Sequence, residues 1–109
     1  MSTQELRGEF TQYQRAAMKF RLESADVPYA LLGLVGEVGE LYGALAKALR
    51  DGTDVSPEYI QKELGDILWF IAAIADDAQL DLQDVAVANL EKLLSRAQRG
   101  VIQGSGDDR

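Results

Sequence analysis

The chain has 109 residues, neither cysteine nor histidine, and a formal net charge of −7 from 18 acidic and 11 basic residues. These numbers predict a single domain, residues 1–109, without disulfides or thiolate metal sites, in which any metal is held by oxygen ligands. The acidic balance argues against a nucleic-acid partner, while the polar start and the lack of a bilayer-length apolar run favour a cytoplasmic protein with no membrane contact.

Apolar residues at helical spacing predict four helices and no strand, so the expected fold class is all-α. We expect the first helix from about Thr3 to Ser24, before a break at residues 25–28 that contains a proline. We expect the second helix from about Tyr29 to Arg50.

The third and fourth helices have clear start signals. Ser56-Pro57-Glu58 combines a capping side chain, a proline at the first position and an acid in the first turn. This helix is predicted to run to about Gln79. Asp81 is the predicted cap of the fourth helix, which ends before Gly100. Residues 100–109 form a glycine-rich tail that is too rich in glycine to continue the helix.

Four carboxylates stand in two similar pairs inside apolar segments: Glu37 with Glu40, and Glu63 with Asp66. Residues three apart on a helix are neighbours, and each pair borders an apolar stripe. The face around the first pair carries small residues that leave room for a group other than a side chain, namely Ala30, Gly33, Gly36, Ala44 and Ala48. If the two helices pack antiparallel, the four carboxylates converge.

Such convergence is costly, because like charges in one place repel one another. Hard divalent cations remove the repulsion, and Mg²⁺ prefers carboxylate oxygens while leaving coordination positions for substrate phosphates. On the residues alone, a divalent-metal site and a solvated acidic face both remain open. Di-iron and di-manganese sites in helical bundles usually add histidine, which this chain lacks.

The two acid pairs resemble the E-x-x-E, then E-x-x-D signature of the MazG-like all-α nucleoside triphosphate pyrophosphohydrolases. Four segments are similar to that family in the same order, over about Tyr29 to Arg109: ALLGLVGEVGEL, KELGDILWFIAAIAD, VAVANLEKLLSR and RGVIQGSGDDR. The resemblance implies a four-helix MazG-like bundle that is completed by oligomerisation, as a homodimer or a dimer-of-dimers tetramer.

The resemblance also implies an activity and a cofactor. The enzyme would hydrolyse a (d)NTP to (d)NMP and pyrophosphate, in nucleotide-pool housecleaning, with Mg²⁺ or alternatively Mn²⁺. By resemblance Glu37, Glu40, Glu63 and Asp66 are the metal ligands and catalytic carboxylates, one of which orients or deprotonates the attacking water. The alternatives are a phosphoribosyl-ATP pyrophosphatase-like enzyme and a non-catalytic helical interaction module.

Basic residues on the fourth helix are the candidate substrate contacts. Lys92 and Arg96 share a helix face, with Asn89 one turn before Lys92. The resemblance implies that Lys92 and Arg96 bind phosphates and that Asn89 contacts sugar or phosphate. The alternative is a solvated basic helix end.

Further candidates lie outside this helix. Gln14 and Phe10 on the first helix are candidate base contacts, and Arg109 would contact the nucleotide if the tail folds over it instead of being disordered. Trp69 is expected to pack rather than to stack on a base, because the third helix is apolar nearly all round. Such a helix predicts a subunit interface.

Overall fold

The computed structural model describes residues 7–109, and within that range it contains four helices and no strand. The helices are α1, Glu9–Met18; α2, Val27–Asp51; α3, Pro57–Asp77; and α4, Leu82–Gln98. The predicted all-α fold with four helices is confirmed.

Side-chain caps set the starts of the three longer helices. Ser56 accepts a hydrogen bond from the backbone N–H three residues on (3.2 Å), and Asp81 from the one two residues on (2.9 Å), so both predicted caps are confirmed. Asp26 caps α2 in the same way, at 3.0 Å. Val27 and Pro28 therefore lie in the first turn of α2, two residues earlier than predicted.

The first helix is shorter than predicted at its start. Gly8 precedes it with φ 98°, a left-handed conformation that glycine adopts readily and that interrupts a helix. Residues 3–6 of the predicted helix lie outside the described residues.

The predicted end of this helix at Ser24 is also wrong, because α1 ends at Met18. The guanidinium of Arg21 donates to the carbonyl of Ala25 at 2.7 Å and to both carboxylate oxygens of Asp77, at 2.9 and 3.0 Å. These bonds hold the connection between α1 and α2 in a non-helical path against the C-terminal end of α3.

The antiparallel pair α2 and α3 forms the main packing contact of the fold. The Phe70 ring of α3 packs directly on the α2 backbone at Gly33, where it leaves no room for a Cβ atom. Ala30, Phe70 and Ala73 form one buried cluster here. A second cluster of Ala72, Ala75 and Leu82 joins α3 to α4.

Trp69 attaches α1 to this pair. Its indole N–H donates to the carbonyl of Ala17 at 3.1 Å, and its ring meets Phe70 edge-to-face with centroids 5.2 Å apart. The side chain therefore packs, as expected, between α1 and α3.

The buried core of one chain is small and consists mainly of alanines. On α2 only Ala30 is buried. Large apolar side chains of α2 are between 45% and 86% exposed, namely Leu31, Leu32, Val35, Val38, Tyr42, Leu45 and Leu49. The radius of gyration is 16.6 Å, against about 13 Å for a compact domain of this length. A single chain thus leaves many large apolar side chains of α2 uncovered.

By length and composition alone, α2 could cross a membrane. Its apolar residues are not continuous, however, because Glu37 interrupts them after residue 36. Glu37 and Glu40 lie in its middle, where a charge at the centre of a bilayer is costly. The length and composition of α2 are therefore weak evidence for a membrane span.

Two glycines of α2 provide a test of the packing. We expect Gly33→Ala to destabilise the protein by about 1–3 kcal/mol, because the new methyl group overlaps the Phe70 ring. Gly43→Ala is the matched control, since its Cβ would meet nothing within 4 Å in the chain and alanine favours the helix. Urea denaturation measures both, and equal stabilities of the two variants would contradict the close approach at Gly33.

Candidate active site

Three of the four predicted acids come together between α2 and α3. Glu37 on α2 and the pair Glu63 and Asp66 on α3 each offer one carboxylate oxygen, and these three oxygens lie within 4.8 Å of one another. We call these three residues the acid cluster. Glu40 is exposed and is not part of the three-residue group. The expected convergence is thus observed for three carboxylates.

The register of α2 against α3 creates this cluster. Gly33 lies against Phe70, and one helical turn further along α2 Glu37 lies at the level of Asp66 and Glu63 because the helices are antiparallel. The packing of Phe70 on Gly33 is thus consistent with a register in which the acidic side chains of the two helices meet.

Burial and charge make the acid cluster electrostatically unfavourable without a cation. Glu63 is only 4% exposed. Burial, followed by the charges of Glu40 and Asp66, raises the pKa of Glu37 from 4.5 to about 7. Near neutral pH, Glu37 therefore takes up a proton that an ordinary carboxylate would release.

Unpartnered oxygens show that the acid cluster fits a metal ion. One carboxylate oxygen of Glu37 and one of Glu63 are buried without a hydrogen-bond partner among residues 7–109. Buried acceptors are normally satisfied, and leaving one unpaired is costly. An all-oxygen carboxylate set matches the ligand preference of Mg²⁺ and Mn²⁺, so a divalent cation would satisfy both oxygens.

Tyr59, which the sequence argument did not single out, also lies in the field of the acid cluster. It is one turn before Glu63 on α3, and burial together with the charges of Glu63 and two α2 glutamates raises its pKa. On α1, burial and the charge of Asp66 raise the pKa of Tyr13. The four-residue spacing from Tyr59 to Glu63 is the signal that could have identified it.

Lys92 and Arg96 of α4 lie beside the same carboxylate, that of Asp107. Among residues 7–109, neither forms an ion pair with the acid cluster. Lys92 Nζ lies 3.5 Å from Oδ1 of Asp107, and Arg96 Nη2 lies 3.7 Å from the same oxygen. Within the described residues, α4 packs on α1 and α3 and does not contact α2. Asn89 and Lys92 line an open groove of about 590 Å³ on α4.

The structure places the two candidate base contacts of α1 in the packing of the chain. Gln14 is buried; its amide nitrogen donates to the carbonyls of Ala72 (3.4 Å) and Leu80 (3.1 Å), and its amide oxygen accepts from the N–H of Leu82 (2.8 Å). Phe10 packs against the cluster that joins α3 to α4. Gln14 therefore ties α1 to the α3–α4 connection, with both amide hydrogens engaged.

Arg109 folds the tail upon itself. Its guanidinium donates to three main-chain carbonyls of the tail, those of Val101 (3.1 Å), Ile102 (3.0 Å) and Gly106 (2.6 Å). The tail thus adopts a defined turn beside α4, and all three nitrogens of the Arg109 guanidinium are occupied.

Comparison with known proteins gives two matches. The family model described as the MazG nucleotide pyrophosphohydrolase domain matches residues 29–101. The gene 37 protein of Mycobacterium phage L5 is 46% identical over an alignment of 85 residues, and the match covers 74% of this chain and 75% of the phage protein. No solved structure matches the chain. The matched range includes both acid pairs and the three α4 candidates, whereas Gln14 and Arg109 lie outside it.

The raised pKa of Glu37 predicts a pH-dependent cost of folding without metal. Because its folded pKa of about 7 exceeds 4.5, its protonation stabilises the fold below about pH 4.5, and this stabilisation is lost as the pH rises through 7. Glu37→Gln stays neutral, so in EDTA its unfolding free energy should gain on the wild type between pH 5 and pH 8.

Urea denaturation at fixed protein concentration measures this difference. Glu23→Gln is the control, because Glu23 is exposed and makes no hydrogen bond or ion pair within residues 7–109. An unchanged difference between Glu37→Gln and wild type across this pH range would contradict the electrostatic description of the acid cluster.

Proposed function

Since the chain belongs to the MazG nucleotide pyrophosphohydrolase family, we propose that it is a Mg²⁺-dependent enzyme that hydrolyses a (d)NTP to (d)NMP and pyrophosphate. The observation that carries the proposal is the acid cluster, in which two carboxylates keep buried oxygens without partners. The proposed setting is nucleotide-pool housecleaning in the cytoplasm.

Glu37, Glu63 and Asp66 are the proposed metal ligands. Glu40, one turn along α2 and close enough to raise the pKa of Glu37, is a proposed fourth carboxylate of the site. A bound divalent cation supplies neutralisation of phosphate charge and activation of water as a nucleophile. The carboxylates themselves hold the cation and orient the attacking water beside it.

Lys92 and Arg96 are the proposed phosphate contacts, and Asn89 a sugar or phosphate contact. An ammonium and a guanidinium donate charge-assisted hydrogen bonds that phosphate oxygens accept, and each such bond contributes about 1.5–3 kcal/mol. In a protein of net charge −7, cations placed locally in this way can attract an anionic substrate that the surface as a whole repels.

We also propose that the working form is a homo-oligomer, a homodimer or a dimer of dimers. The exposed apolar face of α2 and the open shape of the chain support it, because a second copy would cover surface that one chain leaves in water. Leu64 on α3 is also exposed (52%), and obligate interfaces are typically rich in such apolar side chains.

The direct test of the activity is a substrate panel assayed for pyrophosphate. Canonical, deoxy and damaged nucleoside triphosphates are compared with phosphoribosyl-ATP, each with Mg²⁺. Release of pyrophosphate from a nucleoside triphosphate supports the proposal. Release from phosphoribosyl-ATP alone would assign the site to the alternative enzyme.

A carboxylate variant tests the metal site. We expect Glu63→Gln to keep the fold and to lose at least about a hundredfold in kcat/KM, because the isosteric amide cannot neutralise a cation. Added Mg²⁺ should raise the Tm of the wild type but not of this variant. Glu23→Gln should behave like the wild type in both assays. Full turnover in Glu63→Gln would remove Glu63 from the catalytic set.

Light scattering tests the assembly. At micromolar concentration we expect a mass of at least twice the 11.9 kDa of one chain. Tyr42→Glu places a charge on the exposed apolar face of α2 and should dissociate the assembly. A wild-type mass of 11.9 kDa would refute the proposed oligomer.

A further inference from the structure

The tail of the chain presents a carboxylate to the two cations that we propose as phosphate contacts. The backbone carbonyl of Asp107 accepts a hydrogen bond from Arg96 Nη2 at 2.8 Å, while its carboxylate lies 3.5 Å from Lys92 Nζ and 3.7 Å from Arg96 Nη2. A carboxylate oxygen of Asp107 thus lies near both the Lys92 ammonium and the Arg96 guanidinium. A phosphate oxygen bound by these two cations would take the same position.

The environment of Arg96 points to an anion site that the tail fills incompletely. The Arg96 side chain is only 7% exposed, and its buried Nε has no hydrogen-bond partner among residues 7–109. The Asp107 side chain is 88% exposed, so water competes strongly with its two ion pairs. A multiply charged anion would engage both cations more strongly than this single carboxylate does.

Internal bonds of the tail hold Asp107 in place. Arg109 donates to three tail carbonyls, and its own carbonyl accepts a hydrogen bond from Arg99 on the C-terminal side of α4 at 2.7 Å. Within the described residues, the Arg109 guanidinium makes no hydrogen bond or ion pair with Asp107. Its contribution to the anion site is therefore to position the tail.

We propose that Asp107 is an internal competitor of the substrate: its carboxylate occupies the anion site of Lys92 and Arg96, and the tail must release this site before a triphosphate binds there. The proposal rests on the proposed role of Lys92 and Arg96 in phosphate binding. Because exposed ion pairs are weak, the tail restrains binding without blocking it, and its release should tighten anion binding about two- to fivefold.

The test is a calorimetric titration of the full chain with inorganic tripolyphosphate in EDTA, at fixed low ionic strength. Asp107→Asn removes the competing charge, and Arg109→Gln removes the bonds that position the tail while leaving Asp107 charged. Asp108→Asn is the matched control, since Asp108 is exposed and makes no hydrogen bond or ion pair within the described residues.

We expect Asp107→Asn and Arg109→Gln to bind tripolyphosphate two- to fivefold more tightly than the wild type, and Asp108→Asn to bind like the wild type. Arg109→Gln is decisive, because the competing explanations predict the opposite result. Loss of a positive charge should weaken anion binding if general electrostatics dominate, or if Arg109 itself contacts the substrate. Weaker binding by Arg109→Gln, equal effects of the two aspartate variants, or no binding by any variant would overturn the proposal.

Hydrolysis measured in parallel separates this proposal from the proposed function. Tripolyphosphate binding in EDTA requires neither a metal nor catalysis. Suppose that the variants bind tripolyphosphate as expected, but that the wild type releases no pyrophosphate from nucleoside triphosphates with Mg²⁺. This result would contradict the proposed hydrolase activity and support the tail proposal.

Discussion

The close contact between α2 and α3 is the constraint on which the candidate site depends. Gly33 lets the Phe70 ring approach the α2 backbone, and one turn away the same contact brings Glu37 against Glu63 and Asp66. Placing three carboxylates there opposes folding, because burial and mutual repulsion disfavour their charged forms. Two buried oxygens also remain unpartnered, and the proposed cation would remove both costs.

Charges of opposite sign are kept apart on different elements. The acid cluster lies between α2 and α3, whereas Lys92 and Arg96 lie on α4, which does not contact α2 within the described residues. Among residues 7–109, this separation keeps the basic side chains from pairing with the acid cluster. The basic set contacts the tail carboxylate of Asp107, and the metal triphosphate of the proposed function would carry both kinds of charge.

The sequence predicted the helices correctly where a capping residue or the helical spacing of apolar residues determines the local structure. Ser56 and Asp81 cap as expected because their bonds are formed within one turn. The first helix was mispredicted because a distant ion pair, Arg21 with Asp77, holds its end, and Gly8 interrupts its start. The spacing of apolar residues indicates neither the ion pair nor the left-handed glycine.

The site was predictable to a similar extent. Spacing placed each acid pair on one face, and antiparallel packing accounts for the meeting of Glu37, Glu63 and Asp66. The hydrogen bonds of Gln14 and Arg109 are made to main-chain groups, which every sequence offers at every position, so composition could not predict that Gln14 packs or that Arg109 folds the tail. The small single-chain core likewise appears only when burial is measured.

The central claim is that the acid cluster binds a divalent metal ion. Anomalous diffraction from crystals grown with Mn²⁺ tests it most directly, because the scattering locates the ion independently of any assay. The account predicts a Mn²⁺ peak at about 2.0–2.3 Å from carboxylate oxygens of Glu37, Glu63 and Asp66. Crystals in which Mn²⁺ is bound elsewhere, while these three carboxylates contact only protein or water, would contradict it.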